Sequence, residues 1–462
     1  MNVLLSRKVR EKTNNEAIPS FFSILKAILK ISLPAALETF LISLIGLIDT
    51  MMVGGRGTEA LAAVSLCQQP VFITMAVSFG LNAGITAIIS RRHGENNPDD
   101  ARTTMRNAII ASVIVGGAIT VLSIVFAKPF LRVTGAKDDT IDLAVSYFRI
   151  VSSILVFNYI RVGICAGLRA EGSTKITLIT NIVANVVNVF LNYCLINGNL
   201  GFPALGVVGA AIATVIGNLV AFLIAILVLR FRKGFLRIEL SGNWKIEKVN
   251  MNNLVRVSMP AFIEQMFMRF GFYIIAVIVN NLGTKIVAQN AIISGVISLA
   301  FSITDGFAIG CASKVGESLG ENRRALAYAY ARISQMLSFL LGLVMISLIY
   351  IFREPVSHLF SNEQEVIDGA SGVLKIAVFV IIPQSLQWIT TGALRGAGDV
   401  KFTARTSMIS VAIIRPLLSF LFCYPIGLGL LGSWLGMLID QAIRFIVNNT
   451  RLTNLKWMDI RV

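Results

Sequence analysis

Histidine, cysteine and charge are all scarce in this chain, and each shortage removes a class of function. The two histidines, His93 and His358, stand far apart in loops. A zinc site or a histidine-based triad therefore has no material. The five cysteines, Cys67, Cys165, Cys194, Cys311 and Cys423, lie in or at the ends of apolar runs, with no CxxC and no metal-ligand spacing. They read as small apolar packing residues. The glycine-rich run Gly54-Gly55-Arg56-Gly57-Thr58 lacks the lysine of a P-loop. Leu394-Arg395-Gly396-Ala397-Gly398-Asp399 has no strand before it, and the related Leu168-Arg169-Ala170-Glu171-Gly172 breaks the spacing of a dinucleotide fingerprint. Both read as tight turns between helices. The chain is expected to be no enzyme and to hold no cofactor or metal. Charged residues are only 14% of its 462 residues while apolar ones are 55%. A soluble protein of this size cannot hide so much apolar surface, but a bilayer can.

The chain is also written twice. A shift of 226 residues lays Ser32-Leu33-Pro34-Ala35 on Ser258-Met259-Pro260-Ala261, Glu38 on Glu264, and Gly94-Glu95-Asn96 on Gly320-Glu321-Asn322. The same shift carries Leu168-Arg169 onto Leu394-Arg395 and Gly172 onto Gly398; near the end it becomes 223, where Gly206 and Gly209 meet Gly429 and Gly432. Apolar runs long enough to span recur at about twelve places, six in each repeat. The expected fold is an all-α polytopic membrane protein with twelve transmembrane helices in two pseudo-symmetric six-helix bundles. Paired bundles of this kind are how many transporters build a site between repeats.

The net charge of +16 is distributed by loop. Lys and Arg crowd the start (Arg7, Lys8, Arg10, Lys12), the loop after span two (Arg91, Arg92, Arg102) and the centre (Arg230, Arg232, Lys233, Arg237, Lys245, Lys248). Asn197 to Leu205 and Pro425 to Leu431, on the opposite side, have none. This is the positive-inside pattern, so both termini are expected in the cytoplasm and nucleic acid is no expected partner. Arg7 to Glu16 is polar, unlike a cleavable signal. The expected division is a cytoplasmic arm at 1–30 ending in a short interfacial helix from Phe21 to Lys30, an N-lobe at 31–229, a linker at 230–253, a C-lobe at 254–449 and a tail at 450–462. Residues 128–142, with Lys137, Asp138 and Asp139, read as a mixed external loop.

Ionisable groups inside apolar spans are expensive and mark function by default. Asp49 sits in Leu44 to Val53 with no basic neighbour in sequence, and its repeat partner is Ile275. Glu38 and Glu264 are duplicated, which favours a shared structural role such as bonding backbone groups freed near Pro34 and Pro260. Asn181, Asn185, Asn188 and Asn192 follow one another by four, three and four residues, which keeps them on one helical face. That face must meet protein or a wet cavity; the matched positions Ser407, Val411, Ile414 and Leu418 carry no such stripe. The second repeat holds Arg269, Asp305, Arg415, Asp440 and Arg444, as a structural ion-pair network or as a gate. Asp440 and Arg444 can pair at i, i+4. Gln384, Gln387 and Trp388 could line a cavity for a flat organic cation or serve in packing.

Three stretches together resemble one family. Leu47-Ile48-Asp49-Thr50 with Gly57-Thr58-Glu59-Ala60-Leu61-Ala62-Ala63-Val64, then Gly167 to Lys175 with the asparagines that follow, then Gly201 to Thr214, are similar to the multidrug and toxic compound extrusion (MATE) transporters. The resemblance covers nearly the whole chain beyond residue 30. It implies two six-helix lobes, a V-shaped central cavity, and efflux of small amphipathic, often cationic, molecules coupled to inward H⁺ or Na⁺. It implies cation coupling at Asp49, with Asn188 beside it, and Asn192 is counted in the same expected coupling site. Asn192 stands where one branch of the family has an aspartate, and Met268 where another has a glutamate, so neither branch's second carboxylate carries over. Asn185, Thr214, Gln384 and Trp388 are the expected substrate-cavity residues. The expected setting is the plasma membrane, as a multi-pass monomer in the lipid bilayer. A lipid-linked saccharide flippase is the alternative: it needs a basic cavity, for which Arg269 and Arg415 are candidates against only Arg149 and Arg161 in the first repeat. A membrane scaffold would not need Asp49.

Overall fold

The computed structural model describes residues 7–13, 16–54, 58–133, 140–238, 244–358 and 363–460; among these the chain is helical and contains no strand. Gly55, Arg56 and Gly57 of the glycine-rich run, and Lys137, Asp138 and Asp139 of the external loop, fall outside the described residues. A short helix α1 (Arg7–Lys12) is followed by α2 (Phe21–Gly54). The separate interfacial helix expected at Phe21 to Lys30 is instead the first part of α2. No glycine or proline interrupts the chain from Phe21 to Leu33, and the helix accommodates Pro34 within its length.

The chain forms two compact units. The N-unit, Phe40–Phe262, contains the end of α2, then α3 (Thr58–Gly94), α4 (Pro98–Val125), α5 (Ala127–Val133), α6 (Ile141–Ser152), α7 (Leu155–Ala170), α8 (Thr174–Asn197), α9 (Gly206–Phe231) and the start of α10 (Lys248–Asn280). The C-unit joins Met1–Thr39 to Ile263–Val462. It holds the rest of α10, then α11 (Thr284–Gly320), α12 (Arg324–His358), α13 (Gln364–Ala377), α14 (Ile381–Gly396), α15 (Val400–Ile409), α16 (Arg415–Cys423) and α17 (Gly429–Thr453). Among the described residues eleven helical segments are long and apolar enough to cross a membrane, and the number is twelve if α6 and α7, which meet at a 49° bend, form one broken span. At the bend, the Ser153 hydroxyl donates to the Ile150 carbonyl at 2.7 Å.

The units divide inside α2 and α10, whereas charge and composition alone point to the linker 230–253. Small residues explain the division. In the C-unit, Gly306 and Gly310 of α11 lie so close to α2 that a Cβ at either would run into Ala36 or Ser32. In the N-unit, Gly80 and Gly84 of α3 receive Phe262 and Ser258 of α10 in the same way. The 226-residue shift relates the two sets residue by residue. Close backbone approach of this kind is how helices associate without a hydrophobic drive between them.

The duplicated loops also share a geometry. Asn96 and Asn322 both have positive φ, 52° and 57°. Asn97 N–H bonds the Arg92 carbonyl at 2.9 Å, and Arg323 N–H bonds that of Ser318 at 2.8 Å. Gly172 and Gly398, with φ of 83° and 88°, close α7 and α14 alike. These are left-handed helix caps. The arm and tail pack into the C-unit: Lys12 Nζ reaches Asp459 at 2.6 Å, and Trp457 is fully buried. Lys12 beside it holds the Asp459 carboxyl below its ordinary range.

Candidate functional site

The asparagines of α8 face inward. Asn181, Asn188 and Asn192 are buried, while Val186 and Phe190 on the other face are 63% and 53% exposed. Gly209 and Gly217 let α9 lie against this helix, since a Cβ at either would meet the Leu195 or Ala184 carbonyl. The buried face then meets α2 at Asp49, all within the N-unit. Asn192 Nδ2 donates to Asp49 Oδ1 at 2.7 Å. The Asn188 amide is satisfied with its nitrogen 3.1 and 3.3 Å from the two carboxylate oxygens and its oxygen accepting from the Thr214 N–H at 3.2 Å. Two amides therefore solvate one carboxylate, and α9 orients one of those amides. Among the described residues no Lys or Arg forms an ion pair with Asp49. Asn192 Oδ1 and Asn185 Nδ2 are buried without a hydrogen-bond partner.

The stripe is not one site. At its other end Asn181 Oδ1 accepts from Arg161 at 2.9 Å, and the same guanidinium reaches Asn158 Oδ1 at 2.8 Å. Arg149 donates to the Ile124 carbonyl at 3.2 Å. The first repeat thus keeps its carboxylate and its membrane arginines with different partners.

The C-unit gathers other groups. Glu264 on α10 is 1% exposed and accepts from Arg395 at 2.5 Å, a guanidinium partner rather than the freed backbone groups suggested by Pro260. Glu38 is also buried, on the part of α2 that belongs to this unit. Asp440 is fully buried on α17, where Arg444 meets it at 3.1 Å and Ser410 donates its hydroxyl. Ser410 begins a π-turn, Ser410–Ile414, that joins α15 to α16. Such turns recur at functional sites because they re-aim side chains. Gly271 allows α10 to touch the Val411 backbone there. Arg415 follows at once. Its Nη2 lies 3.1 Å from Met437 Sδ, and its Cζ sits 5.5 Å from the Phe272 ring centre; Arg269 lies over the same ring at 5.8 Å.

Arg415 faces a cavity of about 160 Å³ bounded by α10, α11, α16 and α17. Neither Gln384 nor Trp388 lines it. Gln384 is 3% exposed, and Trp388 packs on Phe301 with ring centres 5.9 Å apart. Asp305 is half-buried on α11 and lies outside its lining. The sequence reading missed Asn290, Trp434 and Met437. Trp434 Nε1 donates to Asn290 Oδ1 at 3.1 Å across this cavity wall. A signal existed: the 223-residue shift lays Thr214 on Met437.

The MatE family model matches residues 34–194 and again 260–421, one match per repeat. A probable multidrug resistance protein NorM from Thermotoga maritima is 28% identical over 437 residues, 94% of this chain and 93% of that protein. A solved MOP superfamily transporter from Pyrococcus furiosus, described as having a binding pocket of reverse polarity, is 24% identical with a TM-score of 0.87, covering 96% of this chain and all, 100%, of that one. An outward-facing multidrug resistance MATE family transporter is 23% identical at the same TM-score, 0.87, with the same coverage, 96% and 100%. These structures share the fold.

Proposed function

Because the chain belongs to the MatE family, we propose that this multi-span membrane transporter is a secondary active exporter of amphipathic small molecules, driven by inward H⁺ or Na⁺ at Asp49. One observation carries the reading. Asp49 is a carboxylate in an apolar helix, held by amides and by no Lys or Arg among the described residues. A fixed countercharge would neutralise it permanently, whereas amides leave the charge to be cancelled and released by a mobile cation. Protonation would remove an acceptor that ties α2 to α8. Sodium would instead draw on oxygens, and Asn192 Oδ1 is one with no partner. Either event changes how α2 is bound to α8 and α9, a local switch of the kind that can bias alternating access. The loop charges support cytoplasmic termini.

The test is drug transport in proteoliposomes under imposed pH and Na⁺ gradients, with wild type and Asp49→Asn compared. The variant keeps the size and hydrogen-bonding reach but not the charge. Expected is normal insertion, partly retained substrate binding and loss of gradient-driven transport. Coupled transport at the wild-type rate under both gradients would sink the reading.

A further inference from the structure

The two repeats build one place with opposite polarity. The 226-residue shift takes Asp49 to Ile275 and Asn188 to Ile414, and the 223-residue shift takes Thr214 to Met437. Ile275 and Met437 both line the C-unit cavity, and Ile414 directly precedes Arg415. Where the N-unit has a carboxylate solvated by donors, the C-unit has a cavity with a guanidinium in its wall.

Arg415 is poorly satisfied by the protein. A guanidinium carries five N–H donors. Here one nitrogen has a thioether, Met437 Sδ, for a partner, and Nε is buried with none. Thioether sulfur is a weak acceptor. Asp440 does not neutralise Arg415 directly, because Arg444 and Ser410 occupy its oxygens. Among the described residues no carboxylate lines the cavity or lies within ion-pair reach of Arg415.

The rest of the wall suits an anion. Asn290 spends its oxygen on the Trp434 indole, which leaves its N–H groups to offer. Ser294 and Ser433 add hydroxyls. Phe272 and Trp434 supply flat apolar surface. A cavity near 150 Å³ holds a benzene-sized body, and this one is about 160 Å³.

We propose that this cavity is a subsite for an oxyanion, a carboxylate or phosphate on a flat or apolar body, gripped by the Arg415 guanidinium. It adds a cargo class to the exporter reading. Its test needs no gradient, so the two stand or fall separately.

The experiment is titration calorimetry on the purified full-length protein in uncharged detergent. The probes are benzoate, benzamide and benzylammonium, whose single ring matches the space. Benzoate should bind at least about tenfold tighter than benzamide or benzylammonium, as a charge-assisted bond to arginine implies. Arg415→Gln should weaken benzoate about 10- to 100-fold, while Arg415→Lys keeps part of the affinity because the charge remains without the fork. Asn290→Asp should abolish benzoate binding, because a carboxylate in the same wall competes for the guanidinium. Should Arg415→Gln not fold, Asn290→Asp decides alone. A competition arm with dihexanoyl phosphatidate separates the sources. Displacement of benzoate points to a lipid phosphate, and no displacement points to a soluble organic anion. Equal affinity for benzoate and benzamide, or benzoate affinity unchanged in Arg415→Gln or Asn290→Asp, overturns the assignment.

Discussion

Glu264, buried on α10, accepts a hydrogen bond from Arg395 Nη2 at 2.5 Å at the last turn of α14. A guanidinium at a helix C-terminus also answers the exposed carbonyl ends there. The matched residues Glu38 and Arg169 show that this acid and base were duplicated together.

Breaking that pair should destabilise the C-unit. Glu264→Gln is expected to cost about 1–3 kcal/mol, toward the lower end because the Arg395 side chain keeps 28% exposure. Thermal unfolding in detergent measures it. Arg395→Gln combined with Glu264→Gln should lose less than the sum of the single changes; strict additivity would mean the two do not interact.

Asp440→Asn should be more damaging, because it strands Arg444 in a fully enclosed position. The expected loss is about 3–5 kcal/mol, as for other broken buried pairs. Ser410→Ala, which removes one hydrogen bond to the same carboxylate, should cost about 1 kcal/mol. Equal melting temperatures for wild type and Asp440→Asn would show that the pair contributes nothing to stability.

Two glycines should behave oppositely. Gly306→Val forces a side chain into the Ala36 backbone and should lower stability by about 1–3 kcal/mol or more. Gly46 has nothing within 4 Å of an added Cβ, so Gly46→Ala in the same long α2 should raise stability by about 0.5–1 kcal/mol. Melting curves of both variants check the sign, and a destabilised Gly46→Ala would mean α2 needs flexibility at that point.

The faces of α8 should differ in chemistry. In a cysteine-free background, Asn185→Cys and Asn188→Cys should react with small hydrophilic thiol reagents if that face meets water during transport. Val186→Cys and Phe190→Cys, on the exposed apolar face, should react slowly because lipid covers them. Uniform protection at all four positions leaves the stripe a packing feature alone.

The class of molecule was legible in the chain itself. Apolar runs of spanning length, the twofold repeat and the loop charges are local or periodic signals, and they led to twelve spans in two similar bundles. The four-three-four spacing of the α8 asparagines likewise placed them on one face without any knowledge of their partners. Their division was not legible. That Asn181 serves Arg161 while Asn188 and Asn192 serve Asp49 depends on how α2, α7 and α9 pack around α8. The extent of the compact units was hidden for a similar reason. Gly80, Gly84, Gly306 and Gly310 look like any small residues in apolar runs, yet they let α10 and α2 divide between units midway along their length. The cavity beside Arg415 is the strongest case. Its wall draws on four helices, and repeat arithmetic could name Ile275 and Met437 but not show that they enclose a space. Periodicity reports which face of a helix is buried; only packing decides which residue each buried group meets.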